Sequence, residues 1–271
     1  MRWLIFLDWH NDEIGRNMKQ DRFSLKVGEY VIHIGGLSEK GINKEINQDA
    51  YKIGICEEKE LAYIIVADGL GSCKHSDQGA YKIVEIVENW LLSKLSEYAF
   101  LSDNVSNIMT KRIVEEWNAS YGIDEVFDYD TTMHMAVFYK GSLLVGGIGD
   151  GMALISFDDK ICKDTIDTKN LFSNVTNSMC SLNANELLEY EVIKDSEFNE
   201  KAVMILSTDG IADDLIPEKK LTLPSYFEKV INAEGLDALQ NELQEWIEDW
   251  ETESHSDDKT LCYLVIEKEK K

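Results

Sequence analysis

Three apolar runs of the chain end in the same dipeptide: Leu61 to Asp68-Gly69, Leu143 to Asp150-Gly151, and Val203 to Asp209-Gly210. Two further acidic segments flank them, Asn47-Gln48-Asp49 upstream and Ser256-Asp257-Asp258 downstream. An apolar run closed by glycine reads as a buried strand with a sharp turn at its end, since glycine lacks the Cβ that obstructs such a turn. Each strand would then deliver one carboxylate to a common edge. Carboxylates gathered in this way repel one another unless positive charge lies between them. A pair of hard divalent cations, which prefer oxygen ligands, meets that need. Such a centre suits demanding hydrolysis. Phosphate monoesters require accelerations of up to ~10²¹-fold. One general acid or base supplies only about 10²–10⁴, whereas two metal ions neutralise phosphoryl oxygens and activate water at neutral pH.

The elements that must hold these residues are legible as apolar patterns. Strand-like runs fall at about 30–37, 50–56, 61–67, 131–139, 142–149, 152–157, 187–194, 202–208 and 260–267. Asp-Gly is also a strong hairpin signal, and the apolar residues that follow at once from Met152 predict a hairpin around Asp150-Gly151. Ile83, Ile86, Val87, Trp90 and Leu91 share one face of a helix that Ser76 or Asp77 would cap. Val105, Ile108, Met109, Ile113 and Trp117 mark a second helix over about 103–121, and Leu236, Leu239, Leu243, Trp246, Ile247 and Trp250 mark a third. All three stripes read as core-facing. Strands cluster and helices segregate, which predicts an α+β fold of antiparallel sheets covered by helices rather than a doubly wound parallel sheet. Residues 158–186, rich in Asp, Asn, Ser and Thr, read as a long loop or flap. Only Pro217 and Pro224 occur and no linker is visible. The expected organisation is therefore one domain over 29–271, with residues 1–28 as an extension.

Composition narrows the function. The 27 basic and 51 acidic residues leave a net charge of −24, which argues against nucleic acid and against an anionic membrane surface. Cys56, Cys73, Cys162, Cys180 and Cys262 are odd in number and form no C-x-x-C. They make neither a disulfide framework nor a zinc site and fit a reducing compartment. The apolar run between Met1 and Asp8 is too short for a signal-peptide core or a membrane span, so the expected location is cytoplasmic.

Taken together, Asn47-Gln48-Asp49-Ala50, Val66-Ala67-Asp68-Gly69-Leu70-Gly71, Thr131-Thr132, Gly149-Asp150-Gly151, Ser207-Thr208-Asp209-Gly210-Ile211-Ala212-Asp213 and Ser256-Asp257-Asp258-Lys259-Thr260 resemble the motifs of metal-dependent protein phosphatases of the 2C type. They come in the same order, and the likeness runs from about residue 33 to 267. The stretch from Asp68 to Ala80 looks like the bacterial branch of that family. The resemblance implies a four-layer α-β-β-α sandwich and Mn²⁺ or Mg²⁺ as cofactor, with two core ions and a possible third. It implies Asp49 and Asp68 as ligands that bridge or bind the core ions, the Gly69 carbonyl as another, and Asp209 and Asp257 completing the second ion's shell. Asp150 and Asp213, together with Asp209, match a third site. It further implies direct attack of a metal-activated water on phosphoserine or phosphothreonine in a phosphoprotein, without a covalent intermediate, and a partner kinase.

Three positions depart from the family pattern. Lys44 stands where an Arg often holds the substrate phosphate, so it offers a point charge instead of a bidentate fork. Asp130 replaces a Gly before the paired threonines. Leu70 replaces a His proposed as general acid in animal relatives, and His75 is the nearby candidate for that role, although a solvated surface histidine is the leading reading of it. The spacing to Thr260 in the family it resembles implies Asp257 as the ligand, with Asp258 at the position usually held by Asn, and Gln48 reads as support behind the ligands. Asp128-Tyr129-Asp130-Thr131-Thr132 also matches the D-x-D-x-T pattern of aspartyl-phosphate phosphotransferases. There the motif follows a strand, whereas here the apolar run comes after it. An alternative within the same family is a catalytically inactive interaction or regulatory module. Retention of every expected core Asp speaks against that alternative.

Overall fold

The computed structural model describes residues 18–42, 44–122, 124–158, 163–165, 176–194, 197, 200–250 and 256–269. Cys162, much of the expected flap and the first 17 residues lie outside the described residues. Among the described residues, eleven strands form two antiparallel sheets. One sheet contains β1 (Met18–Val27), β2 (Tyr30–Glu39), β7 (Met152–Phe157), β8 (Lys163–Asp164), β10 (Lys201–Ser207) and β11 (Lys259–Lys268), in the order β1-β2-β11-β10-β7-β8. The other contains β3 (Asp49–Cys56), β4 (Leu61–Asp68), β5 (Met133–Tyr139), β6 (Ser142–Ile148) and β9 (Glu189–Ile193), in the order β3-β4-β5-β6-β9. Helices α1 (Ser76–Ser93) and α2 (Asp103–Ala119) cover the five-stranded sheet, and α6 (Leu223–Glu234) and α7 (Leu236–Glu248) cover the six-stranded one. Three short helices, α3 (Ala184–Leu187), α4 (Asp209–Ala212) and α5 (Pro217–Lys220), lie in connections. This is the expected four-layer sandwich.

The unbroken apolar runs have a simple cause: each sheet is covered on both faces. Along β4, Leu61, Tyr63, Ile65 and Ala67 pack beneath α1 and α2, while Ala62, Ile64 and Val66 point between the sheets. Along β10, Ala202, Met204 and Leu206 face the other sheet, while Val203 and Ile205 face α6 and α7. With no solvent face there is no alternation of apolar and polar residues to read. At about 25 cal/mol per Å², burial of this kind is the main term that holds the layers together. Among the described residues no helix is long and apolar enough to cross a membrane.

Several local expectations need correction. Residues 18–27 showed no strand in the reading above, yet they pair in register with β2 along their whole length, Val27 against Tyr30 and Arg22 against Gly35. Within 158–186, Lys163 and Asp164 pair with β7, and 184–187 form a helical turn. The start of α1 follows His75, and neither Ser76 nor Asp77 caps it; Ser102, by contrast, caps α2 by accepting from the Val105 N–H at 3.4 Å. The expected hairpin at Asp150-Gly151 is absent. β6 pairs with β5 and β9, whereas β7 pairs with β10 and β8, so the chain passes there from one sheet to the other. Gly149 and Gly151 take φ of +112° and +116°, a region closed to most side chains, and this permits the crossing. Gly69 and Gly210 serve differently. A Cβ on Gly69 would lie 2.4 Å from the Ser76 carbonyl oxygen, and one on Gly210 would lie 2.0 Å from that of Asp258. Close backbone approach, not turn conformation, demands glycine at these two positions.

Candidate metal centre

Asp49 opens β3 and Asp68 closes β4, and the two are register partners. Asp150 sits in the crossing from β6 to β7. Asp209 follows β10 as the first residue of α4, with Asp213 one turn later, and Asp257 precedes β11. Both sheets therefore present acids at one common end. Carboxylate oxygens of Asp68, Asp150 and Asp209 all lie within 4.8 Å of one another. Asp257 and Asp213 stand around this trio, close enough for their charges to act on it.

The electrostatics are those of crowded acids. Burial first, then the neighbouring charges of Asp258 and Asp209, pushes Asp49 up to about 8, although the Thr260 and Thr208 hydroxyls oppose the shift. Asp68 is held well above the usual carboxylate range by burial and by Asp49, Asp209, Asp257 and Asp150. Asp209 is pushed up to about 6 by burial and by Asp150, Asp257 and Asp213. Asp213 is raised for the same reasons, with Lys220 acting against the shift. Desolvation and like-charge repulsion both penalise the ionised forms. A hard cation with oxygen ligands relieves both, so this all-oxygen donor set fits Mg²⁺ or Mn²⁺.

Hydroxyls fix the back wall. Thr208 Oγ1 donates to Asp49 Oδ2 at 2.8 Å and accepts from the Thr260 N–H at 3.1 Å. Ser38 and Thr260 hydroxyls are 2.7 Å apart, and Asn47 joins its Nδ2 to Ser38 and its Oδ1 to the Asp49 N–H, both at 2.9 Å. On the other wall, Thr131 Oγ1 donates to the Asp68 carbonyl at 2.8 Å, and the Asp68 N–H donates to Thr132 Oγ1 at 3.0 Å. Thr176 Oγ1 donates to Asp150 Oδ2 at 2.6 Å. His134 is buried, and burial lowers its pKa; its Nε2 lies 2.7 Å from the Asp150 carbonyl oxygen, so the neutral ring donates there and holds the crossing. The sequence reading missed Thr208 and His134. The signal for His134 was present, as the one titratable side chain in the apolar run from Met133 to Phe138.

The remaining candidates divide. Lys44 Nζ lies 2.6 Å from Asp257 Oδ1, 3.8 Å from Asp258 Oδ2 and 3.1 Å from Gln48 Oε1, so its charge reaches the cluster. Gln48 donates from Nε2 to Ser76 Oγ at 2.6 Å. Asp258 has a different task from its neighbour Asp257: its two oxygens accept from the N–H groups of Gly41 and Gln48, both at 2.8 Å. Asp130 accepts from the N–H groups of Thr131 (2.9 Å) and Cys180 (3.0 Å) and from the Ser178 hydroxyl (2.6 Å), which ties the far side of the flap to β5. The His75 ring stacks on Tyr129 with centroids 5.1 Å apart and makes no hydrogen bond to the described aspartates. The Gly69 N–H donates to the Gln48 carbonyl at 3.1 Å.

The model of the Protein phosphatase 2C family matches residues 39–248. The chain belongs to that family. Its fold is shared with solved structures of low sequence identity. PppA, described as a regulatory component of a type VI secretion system in Pseudomonas aeruginosa, superposes with a TM-score of 0.61 at 15% identity, over 90% of this chain and 99% of its own. RsbX in complex with magnesium gives 0.59 at 14%, over 91% and 100%. The catalytic domain of the serine/threonine protein phosphatase PstP, with two manganese ions, gives 0.58 at 13%, over 88% and 99%. No curated protein sequence matches the chain. As a member of this phosphatase family, the chain has a carboxylate cluster of the right chemistry for the magnesium and manganese held by these relatives.

Proposed function

We propose that this phosphatase hydrolyses phosphoserine and phosphothreonine in proteins, with Mn²⁺ or Mg²⁺ held by Asp49, Asp68, Asp209, Asp257 and the Gly69 carbonyl, and a third ion by Asp150, Asp209 and Asp213. The observation that carries the reading is the convergence of Asp68, Asp150 and Asp209 oxygens within 4.8 Å, at the end where both sheets deliver acids. Divalent ions bound there neutralise phosphoryl charge and lower the pKa of water. The chain's own residues do the rest. The Thr208 and Thr260 hydroxyls favour the ionised form of Asp49 that a cation requires. Thr131 and Thr132 fix the end of β4, and with it Asp68. Lys44, paired with Asp257 at 2.6 Å, is a nearby cation that can meet a substrate phosphate as a point charge. A phosphoprotein and its kinase are the partners this reading implies. The test is turnover of p-nitrophenyl phosphate and of phosphoserine and phosphothreonine peptides with Mn²⁺, with and without chelator. Metal-dependent release of phosphate from the peptides is expected. Absence of turnover together with absence of Mn²⁺ binding overturns the reading in favour of an inactive interaction module.

A further inference from the structure

The loop between β2 and β3 is built to hold two isoleucines outward beside the carboxylate cluster. One buried side chain closes it: Asp258, 2% exposed, accepts from the Gly41 N–H with one oxygen and from the Gln48 N–H with the other. Within it the Lys44 N–H donates to the Gly41 carbonyl at 3.1 Å, and Lys40 Nζ donates to the Lys44 carbonyl. A Cβ on Gly41 would lie 2.1 Å from the Ser256 carbonyl oxygen, so the loop sits directly on the segment that carries Asp257. Two of its polar side chains turn inward, Lys44 to Asp257 and Gln48 to Ser76, while Glu45 is exposed. Ile42 and Ile46 turn outward and are 83% and 52% exposed.

Exposed single apolar residues are ordinary on protein surfaces. Their distribution here is not. Among the described residues, eight large hydrophobic side chains are exposed, and six belong to connections that emerge at the carboxylate end: Ile42, Ile46, Phe127, Leu182, Ile216 and Leu221. Phe127 lies just before Asp130, Leu182 just after Cys180, and Ile216 three residues after Asp213. Exposed apolar side chains are thus concentrated in connections at the acidic end of a chain of net charge −24. Such a surface repels acidic segments and leaves apolar contact as a source of affinity for a phosphorylated one.

We propose that Ile42 and Ile46 form a docking platform for the phosphoprotein substrate, selecting segments with a large aliphatic or aromatic side chain close to the phosphorylated residue. This rests on the phosphatase reading above. Two residues of chain span at most about 7 Å, so each isoleucine stands within that distance, backbone to backbone, of Lys44. An extended substrate advances about 3.3 Å per residue. The selected side chain therefore lies about two to four positions from the phosphoresidue.

The experiment compares paired phosphothreonine peptides with Leu or Ser at those positions, on wild type and on Ile42→Ser/Ile46→Ser. Specificity is read as the ratio of kcat/KM and, independently, as binding by fluorescence anisotropy. Wild type should favour the Leu peptides by about tenfold, the scale of one apolar contact, and the double variant should bring that ratio near one. Equal treatment of both peptides by wild type, or an unchanged preference in the variant, overturns the proposal. Turnover of p-nitrophenyl phosphate, which has no flanking residues, reports the chemistry separately. If it and all peptides stay intact while the anisotropy preference holds, hydrolysis falls and the docking platform stands; if turnover is normal and the preference is missing, the platform falls alone.

Discussion

Two sets of buried or half-buried aspartates in this molecule have the same side chain and opposite surroundings. Asp258 and Asp130, 2% and 8% exposed, are met by N–H and O–H donors: two backbone amides for the first, two amides and a hydroxyl for the second. Asp68 and Asp209, half-buried, lie against other carboxylates, and Asp49, 3% exposed, has the charges of Asp258 and Asp209 beside it as well as the Thr208 and Thr260 hydroxyls. A buried carboxylate ringed by donors is a fastener, because each donor compensates its desolvation. A buried carboxylate ringed by carboxylates is destabilising until a cation arrives. Burial alone therefore does not tell structural from functional acids; the identity of the neighbours does.

The contrast is broken most sharply by exchanging the two behaviours. Asp68→Asn should lower metal-dependent turnover by about 10³-fold, several kcal/mol of barrier, and leave the metal-free protein as stable as wild type or more so. Millimolar Mn²⁺ should raise the Tm of wild type by about 5–10 °C if it exceeds its Kd a hundredfold, and should do so much less for this variant. Scanning fluorimetry with and without the ion checks both. A stability loss in metal-free Asp68→Asn would place Asp68 with the fasteners.

Asp258→Ala should behave in the opposite way. It strands two amide donors, and the expected cost is about 3 kcal/mol of stability with or without metal, read from urea unfolding. A neutral result would remove the distinction between the sets.

The pH dependence sharpens the same point. The folded-state pKa values of Asp49, Asp68 and Asp209 are raised, Asp209 to about 6 and Asp49 to about 8. Between the ordinary carboxylate range and about pH 8 the native protein therefore binds more protons than the unfolded chain, and its stability falls as pH rises. In chelator, the urea midpoint should be higher at pH 5.5 than at pH 7.5, and Asp68→Asn should flatten that slope. A midpoint that rises with pH would contradict the assigned surroundings.

The smallest effect belongs to Lys44, which bonds the half-exposed Asp257. Lys44→Met removes a cation that competes with the metal. Mn²⁺ binding measured by calorimetry should tighten about three- to fivefold, in keeping with the modest value of a partly exposed ion pair, while KM for phosphopeptides rises.

Much of the fold and cluster could be read from the chain because the relevant signals are local. The runs from Leu61 to Ala67 and from Ala202 to Leu206 are apolar throughout, since helices cover one face of each sheet and the other sheet covers the opposite face. The acids stand at the ends of those runs, so their number and order were visible. β1 was missed even though Phe23, Leu25 and Val27 alternate with polar residues, because an edge strand rich in charge gives a weak pattern. The crossing at Asp150 was misread as a hairpin. Asp-Gly between two apolar runs looks the same whether the runs pair with each other or with different sheets.

The sequence by itself determined which side chains are available, that they terminate buried strands, and that they are too acidic to meet without a cation. Only the tertiary structure decided that two sheets present them at a shared end, that Asp150 is carried there by a change of sheet, and that Asp258 is fastened while Asp257 faces the cluster. Periodicity reports which residues are buried; strand pairing between distant segments decides beside what they are buried.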